Sequence, residues 1–139
     1  MLTIKTAWKG GLKFEGNSVF GNPVVTDGAK SVGGGEEGAK PTELLLFGLA
    51  GCTGMDVLKM LQKMRQKVTH FELEVTGRQP DDYPKPFETV EVRYIFRGEN
   101  LDPRKLEQAI SLSQEKYCAV SLTVERKCTV VTSYEILKD

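Results

Sequence analysis

The stretch that decides the fold is PTELLLFGLAGCTGMDVLKMLQKMRQ, which spans residues 41–66. A proline suits the first helical position, the acidic Glu43 favours the positive end of the helix dipole, and basic residues such as Lys63 favour the other end. The segment from Leu44 to Met55 has no charged side chain. We therefore predict one long helix whose first half is buried on nearly every side.

Three glycines recur at intervals of three within this helix, at Gly48, Gly51 and Gly54. Each costs roughly 1 kcal/mol of helix stability relative to alanine, so a packing reason is expected for them. Small residues at regular helical spacing allow a second backbone to approach closely. The glycines therefore predict a close helix contact.

The residues before this helix alternate between apolar and polar side chains. The pattern predicts a hairpin from Leu2–Trp8 and Leu12–Glu15, and a third strand around Val24–Thr26. Residues 28–40 are rich in glycine and poor in apolar side chains, so they are predicted to form a loop. The loop lacks the GKS or GKT of a phosphate-binding P-loop. It is either a flexible linker or a flap that covers a site.

The residues after the helix show further strand and helix patterns. Two strands are predicted around Phe71–Val75 and Val90–Phe96, then a second helix capped by Asp102 that runs to about Tyr117. A short connection over 118–124 and a last strand over 128–136 follow. The order predicts an α+β fold with an antiparallel sheet and two long buried helices.

Length and composition limit the classes of function. The chain has 139 residues, a formal net charge of +0, 40% apolar and 27% charged residues, so one domain is expected and nucleic acid is not an expected partner. No secretory signal pattern opens the sequence, and the longest uninterrupted apolar run, Leu44–Gly51, is too short to cross a bilayer. We expect a soluble cytoplasmic protein with no membrane partner.

Three cysteines, Cys52, Cys118 and Cys128, are the candidates for chemistry. They are too few for a disulfide scaffold, and their spacing lacks the CxxC pairs typical of zinc sites, so no metal is expected. If the two helices pack together, the thiols of Cys52 and Cys118 can meet. From position alone, small buried inert side chains are the commoner interpretation of both, and a structural thiol is expected at Cys128.

Two motifs carry a resemblance to a known family. The residues PTEL at 41–44, followed by GCTGMD at 51–56, resemble the central-helix signature of the OsmC/Ohr superfamily (osmotically inducible protein C-like, organic hydroperoxide resistance-like). The residues EKYCAVS at 115–121 resemble its second cysteine motif. The order of strands and helices agrees too, so the likeness covers nearly the whole chain.

The resemblance implies a fold, a partner and an activity. The fold would be OsmC-like, in an intertwined homodimer that exchanges the N-terminal strands of residues 1–27. The Cys52 thiolate would attack an organic hydroperoxide, Cys118 would resolve the oxidised Cys52 as a disulfide, and Glu43 would assist. A dithiol would supply the electrons, and no cofactor is implied. A non-catalytic binding protein for a small apolar ligand and a thiol redox sensor are the alternatives.

The sequence departs from the peroxidase pattern around the thiolate. Those family members use an N-terminal arginine, whereas the first arginine here is Arg65. The family's glutamate falls at Thr42, one residue before Glu43, where a helix side chain points in a different direction. A lysine such as Lys13, Lys30 or Lys40 would have to supply the charge. These departures place the chain in a less characterised OsmC-like branch.

Asp56 follows Cys52 by four residues, so the two share one helix face. A carboxylate beside a thiol raises the thiol pKa unless it is paired. We therefore expect Asp56 to serve as a cap, an ion-pair partner or a substrate contact.

Overall fold

The computed structural model describes residues 1–126, 130–131, 133–135 and 137. Its elements are the strands β1 (Thr6–Trp8), β2 (Phe14–Asn17), β3 (Pro23–Thr26), β4 (Lys67–Arg78) and β5 (Thr89–Glu99), and the helices α1 (Pro41–Lys63), α2 (Pro103–Leu112) and α3 (Ala119–Arg126). The predicted α+β class is confirmed. The chain divides into two compact units, residues 1–48 with 75–91 and residues 49–74 with 92–139, so the predicted single domain stays a prediction.

The first unit contains a three-stranded antiparallel sheet of order β1-β2-β3. Residues 28–40 contain no strand and no α-helix, only a short 3-10 helix over Lys30–Val32, and they are organised around one side chain. The carboxylate of Asp27 is buried and accepts hydrogen bonds from the backbone N–H groups of Gly28, Gly35 and Glu37. An isolated bridge between Thr26 and Ala39 closes the loop. The loop therefore folds back on its own start, unlike an extended linker.

The second unit holds the described hydrophobic core. Val57, Leu61 and Ala109 are fully buried at its centre. The apolar faces predicted for the two long strands line it through Phe71, Tyr94 and Phe96, and the rings of Phe71 and Phe96 stack with centroids 4.5 Å apart. The alternating pattern of the strands therefore identified the correct face.

Helix α1 ends three residues earlier than predicted. Arg65 adopts a left-handed backbone with φ 57°, and the N–H of Gln66 bonds to the carbonyl of Leu61 at 2.9 Å. This is the hydrogen bond that ends many helices. The prediction that the first half is buried on all sides is wrong within one chain, because burial is confined to the stripe Leu49, Thr53, Val57 and Leu61.

The exposed side of α1 is apolar. Phe47 is 66% exposed and Met55 is 64% exposed, and a Cβ added at Gly48 or Gly51 would meet nothing within 4 Å. The close contact predicted for these two glycines is therefore absent from the described part of the chain. Length and composition would also allow α1 to cross a membrane, a property shared by core helices of soluble proteins, so the expected lack of a membrane partner stays a prediction.

The C-terminal part of the chain differs from the predicted pattern. Asp102 caps α2 as expected, accepting from the N–H of Arg104 at 3.0 Å. The predicted connection over 118–124 is wrong, because residues 119–126 form α3. Part of the predicted last strand, with Cys128, lies outside the described residues, and positions 130–131 and 133–135 are not in a strand.

Candidate functional site

Two cysteines from distant parts of the sequence meet in the second unit. The sulfurs of Cys52 and Cys118 and a carboxylate oxygen of Asp56 all lie within 4.8 Å of one another. Both cysteines are free thiols. The structure therefore brings together the two thiols that the sequence singled out, and adds a carboxylate to them.

Helix α1 supplies one side of this cluster. Cys52 and Asp56 are separated by one turn, so they project from the same face, next to the buried stripe that contains Thr53. Cys52 is partly exposed, whereas Cys118 is fully buried. A dissolved reagent can therefore reach the sulfur of Cys52 more easily than that of Cys118.

A π-helical turn over Ser113–Tyr117 places Cys118. The turn follows α2 directly, and the N–H of Cys118 bonds to the carbonyl of Ser113 at 2.8 Å. The backbone then becomes extended at Cys118, and α3 begins at Ala119. Such turns often occur at functional sites because one wide turn redirects the side chains after it.

Cys118 also caps the following helix. Its sulfur accepts a hydrogen bond from the N–H of Ser121 at 3.4 Å, the geometry of an N-cap side chain. Burial nevertheless raises the pKa of the Cys118 thiol to about 11, and the neighbouring Cys52 and Asp56 act in the same direction. Cys118 is therefore a protonated thiol at neutral pH.

A buried polar network lies beside the thiols. The Thr53 hydroxyl lies 3.0 Å from the Ser113 hydroxyl and 3.1 Å from the Tyr94 hydroxyl, and Gln114 donates to Thr53 at 2.9 Å. The Ser121 hydroxyl donates to Gln114 at 2.8 Å. The network therefore fixes α1, β5 and the π turn relative to one another.

Local sequence patterns do not predict this network. Thr53 and Ser113 are both fully buried, and the only sequence signal for this is that Thr53 lies within the uncharged run of α1. Ser113 lies in the π turn that follows α2, and its partner Thr53 comes from α1. Pairing of hydroxyls across elements depends on tertiary contacts that no local pattern encodes.

The comparisons with known proteins agree with the motifs. The family described as OsmC-like protein matches residues 33–133. This chain belongs to the OsmC-like family. The Escherichia coli (strain K12) protein YhfA is 32% identical to it over 133 residues, with 96% of each chain covered.

Solved structures show the same OsmC-like fold. A hypothetical protein from Aquifex aeolicus is 30% identical, with a TM-score of 0.79 and coverage of 91% of this chain and 89% of that one. The organic hydroperoxide resistance protein OhrB of Bacillus subtilis has a TM-score of 0.59 at 20% identity, over 91% and 93% of the two chains. The second likeness concerns the fold alone.

The other residues considered for the chemistry of this OsmC-like protein make contacts of their own. The Glu43 carboxylate accepts from the N–H of Lys40 at 2.8 Å at the start of α1, which is a helix-capping contact. Lys13 forms an ion pair with Glu37 at 3.1 Å. Arg65 lies in the turn after α1. A part for Glu43 or a lysine in the chemistry stays a prediction.

Proposed function

We propose that this OsmC-like protein is a thiol-dependent redox protein that reduces organic hydroperoxides through Cys52 and Cys118. The observation that supports it is the approach of the two sulfurs to within 4.8 Å, with one partly exposed and the other buried. A disulfide has a sulfur separation of about 2.05 Å, so side-chain rotation and a small backbone adjustment would close it.

The proposed reaction assigns a different part to each thiol. The Cys52 thiolate attacks one peroxide oxygen, the O–O bond breaks, and the alkoxide leaves and takes a proton to become an alcohol. Cys52 is then a sulfenic acid. The Cys118 sulfur attacks the Cys52 sulfur, and the departing hydroxide combines with the Cys118 proton as water. A dithiol returns two electrons and restores both thiols.

The accessibility of the two cysteines supports this order. A hydroperoxide must reach the first thiol from solvent, which favours Cys52. The second thiol reacts only with its neighbour, and a buried Cys118 meets that requirement. Its burial also protects it from further oxidation.

The test is a single-turnover reaction of the reduced protein with cumene hydroperoxide, followed by mass spectrometry of both cysteines. We expect a Cys52–Cys118 disulfide in the wild type, and a sulfenic acid trapped at Cys52 in Cys118→Ala. Cys52→Ser should remove both products, while Cys128→Ser should leave them unchanged. Thiols that stay reduced in the wild type would rule out the reaction.

A redox sensor is a second candidate, and the Asp56 carboxylate beside the thiols favours it. No salt bridge within the described part of the chain includes Asp56, and its negative charge helps to raise the pKa of the neighbouring Cys118 thiol. A slow thiol suits a switch that is oxidised once. Steady-state consumption of peroxide with a dithiol separates the two candidates, because only the enzyme turns over repeatedly.

A ligand-binding protein is the third candidate. The first unit has a mostly apolar cleft of about 290 Å³ whose lining includes Ile4, Val24 and Leu44. A small apolar molecule would suit such a cleft. Thiols that stay reduced with peroxide, together with binding of a fluorescent apolar probe, would favour this candidate.

We also propose that two chains form a homodimer through the exposed apolar side of α1. Phe47, Met55 and Leu58, on the side of the helix opposite the buried stripe, leave large apolar side chains in contact with water in the single chain. Apolar patches of this kind mark protein interfaces. A second copy is the simplest partner, because identical faces of one helix can pack on each other in a symmetric pair.

A further inference from the structure

We propose that Cys52, Asp56 and Cys118 form a binding site for one thiophilic divalent cation, of which Zn²⁺ is the representative, in the reduced protein. The spacing of the cysteines gives no zinc signature in the sequence. Folding nevertheless gathers two sulfur ligands and one oxygen ligand within 4.8 Å. This site goes beyond the proposed peroxide chemistry and is tested without any peroxide.

The ligand atoms lie within about 1 Å of the separations that a tetrahedral ion requires. With Zn–S near 2.3 Å and Zn–O near 2.0–2.2 Å, two ligand atoms in such a site lie about 3.5–3.8 Å apart. The three ligand atoms are already within 4.8 Å. A contraction of about 1 Å by side-chain rotation would complete the site, with a fourth position for water or another small ligand.

The backbone holds the ligands in place before any ion arrives. Cys52 and Asp56 share one face of a long helix, and Cys118 is fixed between the π turn and α3. Preorganised ligands lose little conformational freedom on binding. The elements that carry the ligands are therefore suited to a metal site.

Neighbouring groups form hydrogen bonds to the ligands and orient them. The Ser113 hydroxyl donates to the Asp56 carboxylate through a long hydrogen bond of 3.5 Å, and it is held by Thr53 at 3.0 Å. The N–H of Ser121 points at the Cys118 sulfur at 3.4 Å. Metal sites depend on such second contacts to fix the direction of each ligand.

The chemistry of the ligands selects the ion. Thiolates favour Zn²⁺ and other thiophilic ions over Mg²⁺ or Ca²⁺, which prefer sets of oxygen ligands. Two thiolates and one carboxylate carry three negative charges, which a divalent cation partly neutralises. Oxidation of the thiols to a disulfide removes two of the three ligands, so binding of the ion and oxidation exclude each other.

The test uses the reduced, chelator-treated full chain. Calorimetry with Zn²⁺ should give one ion per chain, and Co²⁺ should give the absorption bands of sulfur-to-metal charge transfer. Cys52→Ser should abolish these bands. Asp56→Asn should weaken Zn²⁺ binding at least about tenfold, while Asp81→Asn, an exposed aspartate in the loop between β4 and β5, should not change it.

A second measurement needs no variant. At about ten times the dissociation constant, Zn²⁺ should slow alkylation of Cys52 about tenfold, because only about a tenth of the sites stay free. The disulfide form should not bind the ion. Absence of binding, binding without charge-transfer bands, or equal binding by Cys52→Ser and the wild type would overturn the site. None of these results depends on a reaction with peroxide, so the two proposals can fail separately.

Discussion

The hydroxyl of Thr53 lies 3.0 Å from the hydroxyl of Ser113, and both side chains are fully buried. This contact joins the helix that carries Cys52 to the turn that carries Cys118. Gln114, the next residue of the turn, also donates to Thr53. The separation of the two thiols therefore depends on a hydroxyl network rather than on apolar packing alone.

Replacing Thr53 by valine tests this dependence. Valine has nearly the same shape but leaves Ser113, Tyr94 and Gln114 without a shared partner, at a cost of about 1–3 kcal/mol in the free energy of unfolding. Denaturant unfolding measures this loss. The matched control is Thr123→Val, an exposed threonine of α3, which should change stability by less than about 0.5 kcal/mol. Equal effects of the two variants would show that the network contributes nothing.

Burial of Cys118 predicts a loss of stability at alkaline pH. The pKa of its thiol rises from the ordinary 9.0 to about 11 in the folded chain. The unfolded chain therefore releases this proton first, and the contribution of the neutral thiol is complete below about pH 9 and lost as the pH rises through about 11. Thermal unfolding across this range should show a steeper fall for the wild type than for Cys118→Ala. Parallel curves would mean that folding does not raise the pKa of the Cys118 thiol.

The loop that Asp27 organises predicts a sensitivity to acid. Hydrogen bonds from the backbone, first from the N–H of Gly28, hold the pKa of Asp27 below its ordinary value of 3.8. The stability that the carboxylate provides is thus present above about pH 4 and lost as the pH falls further. At neutral pH Asp27→Asn should be less stable than the wild type, and the difference should shrink below about pH 4. Asp81→Asn serves as the control, and a difference that is constant with pH would contradict this account.

The apolar side of α1 predicts the oligomeric state. Light scattering after gel filtration should give the mass of two chains. Met55→Glu, which places a charge among apolar side chains at an interface, should shift the protein towards monomers. The control is Lys63→Glu at the end of the same helix. A wild-type protein that remains monomeric at high concentration would rule out the proposed dimer.

The sequence by itself determined the elements and the family. The uncharged run from Leu44 to Met55 identified the long helix, the alternation at Phe71 and Tyr94 identified the core side of two strands, and the two cysteine motifs identified the OsmC-like family. These properties are local, because helix and strand periodicity and short motifs depend on residues close together in the chain. The helix over residues 119–126 was not predicted, because it is only eight residues long and overlaps the segment 118–124 that was expected to be a connection.

Only the tertiary structure decided what surrounds the thiols. Cys118 met the helix face that carries Cys52 and Asp56, Thr53 and Ser113 formed a buried network, and a π turn fixed Cys118, none of which a local pattern predicts. Each depends on side chains from distant parts of the sequence meeting in one core, where burial and hydrogen bonding act together. The sequence therefore identified the two cysteines and the carboxylate on the helix face of Cys52, and the fold determined the separation of the two sulfurs and their unequal exposure.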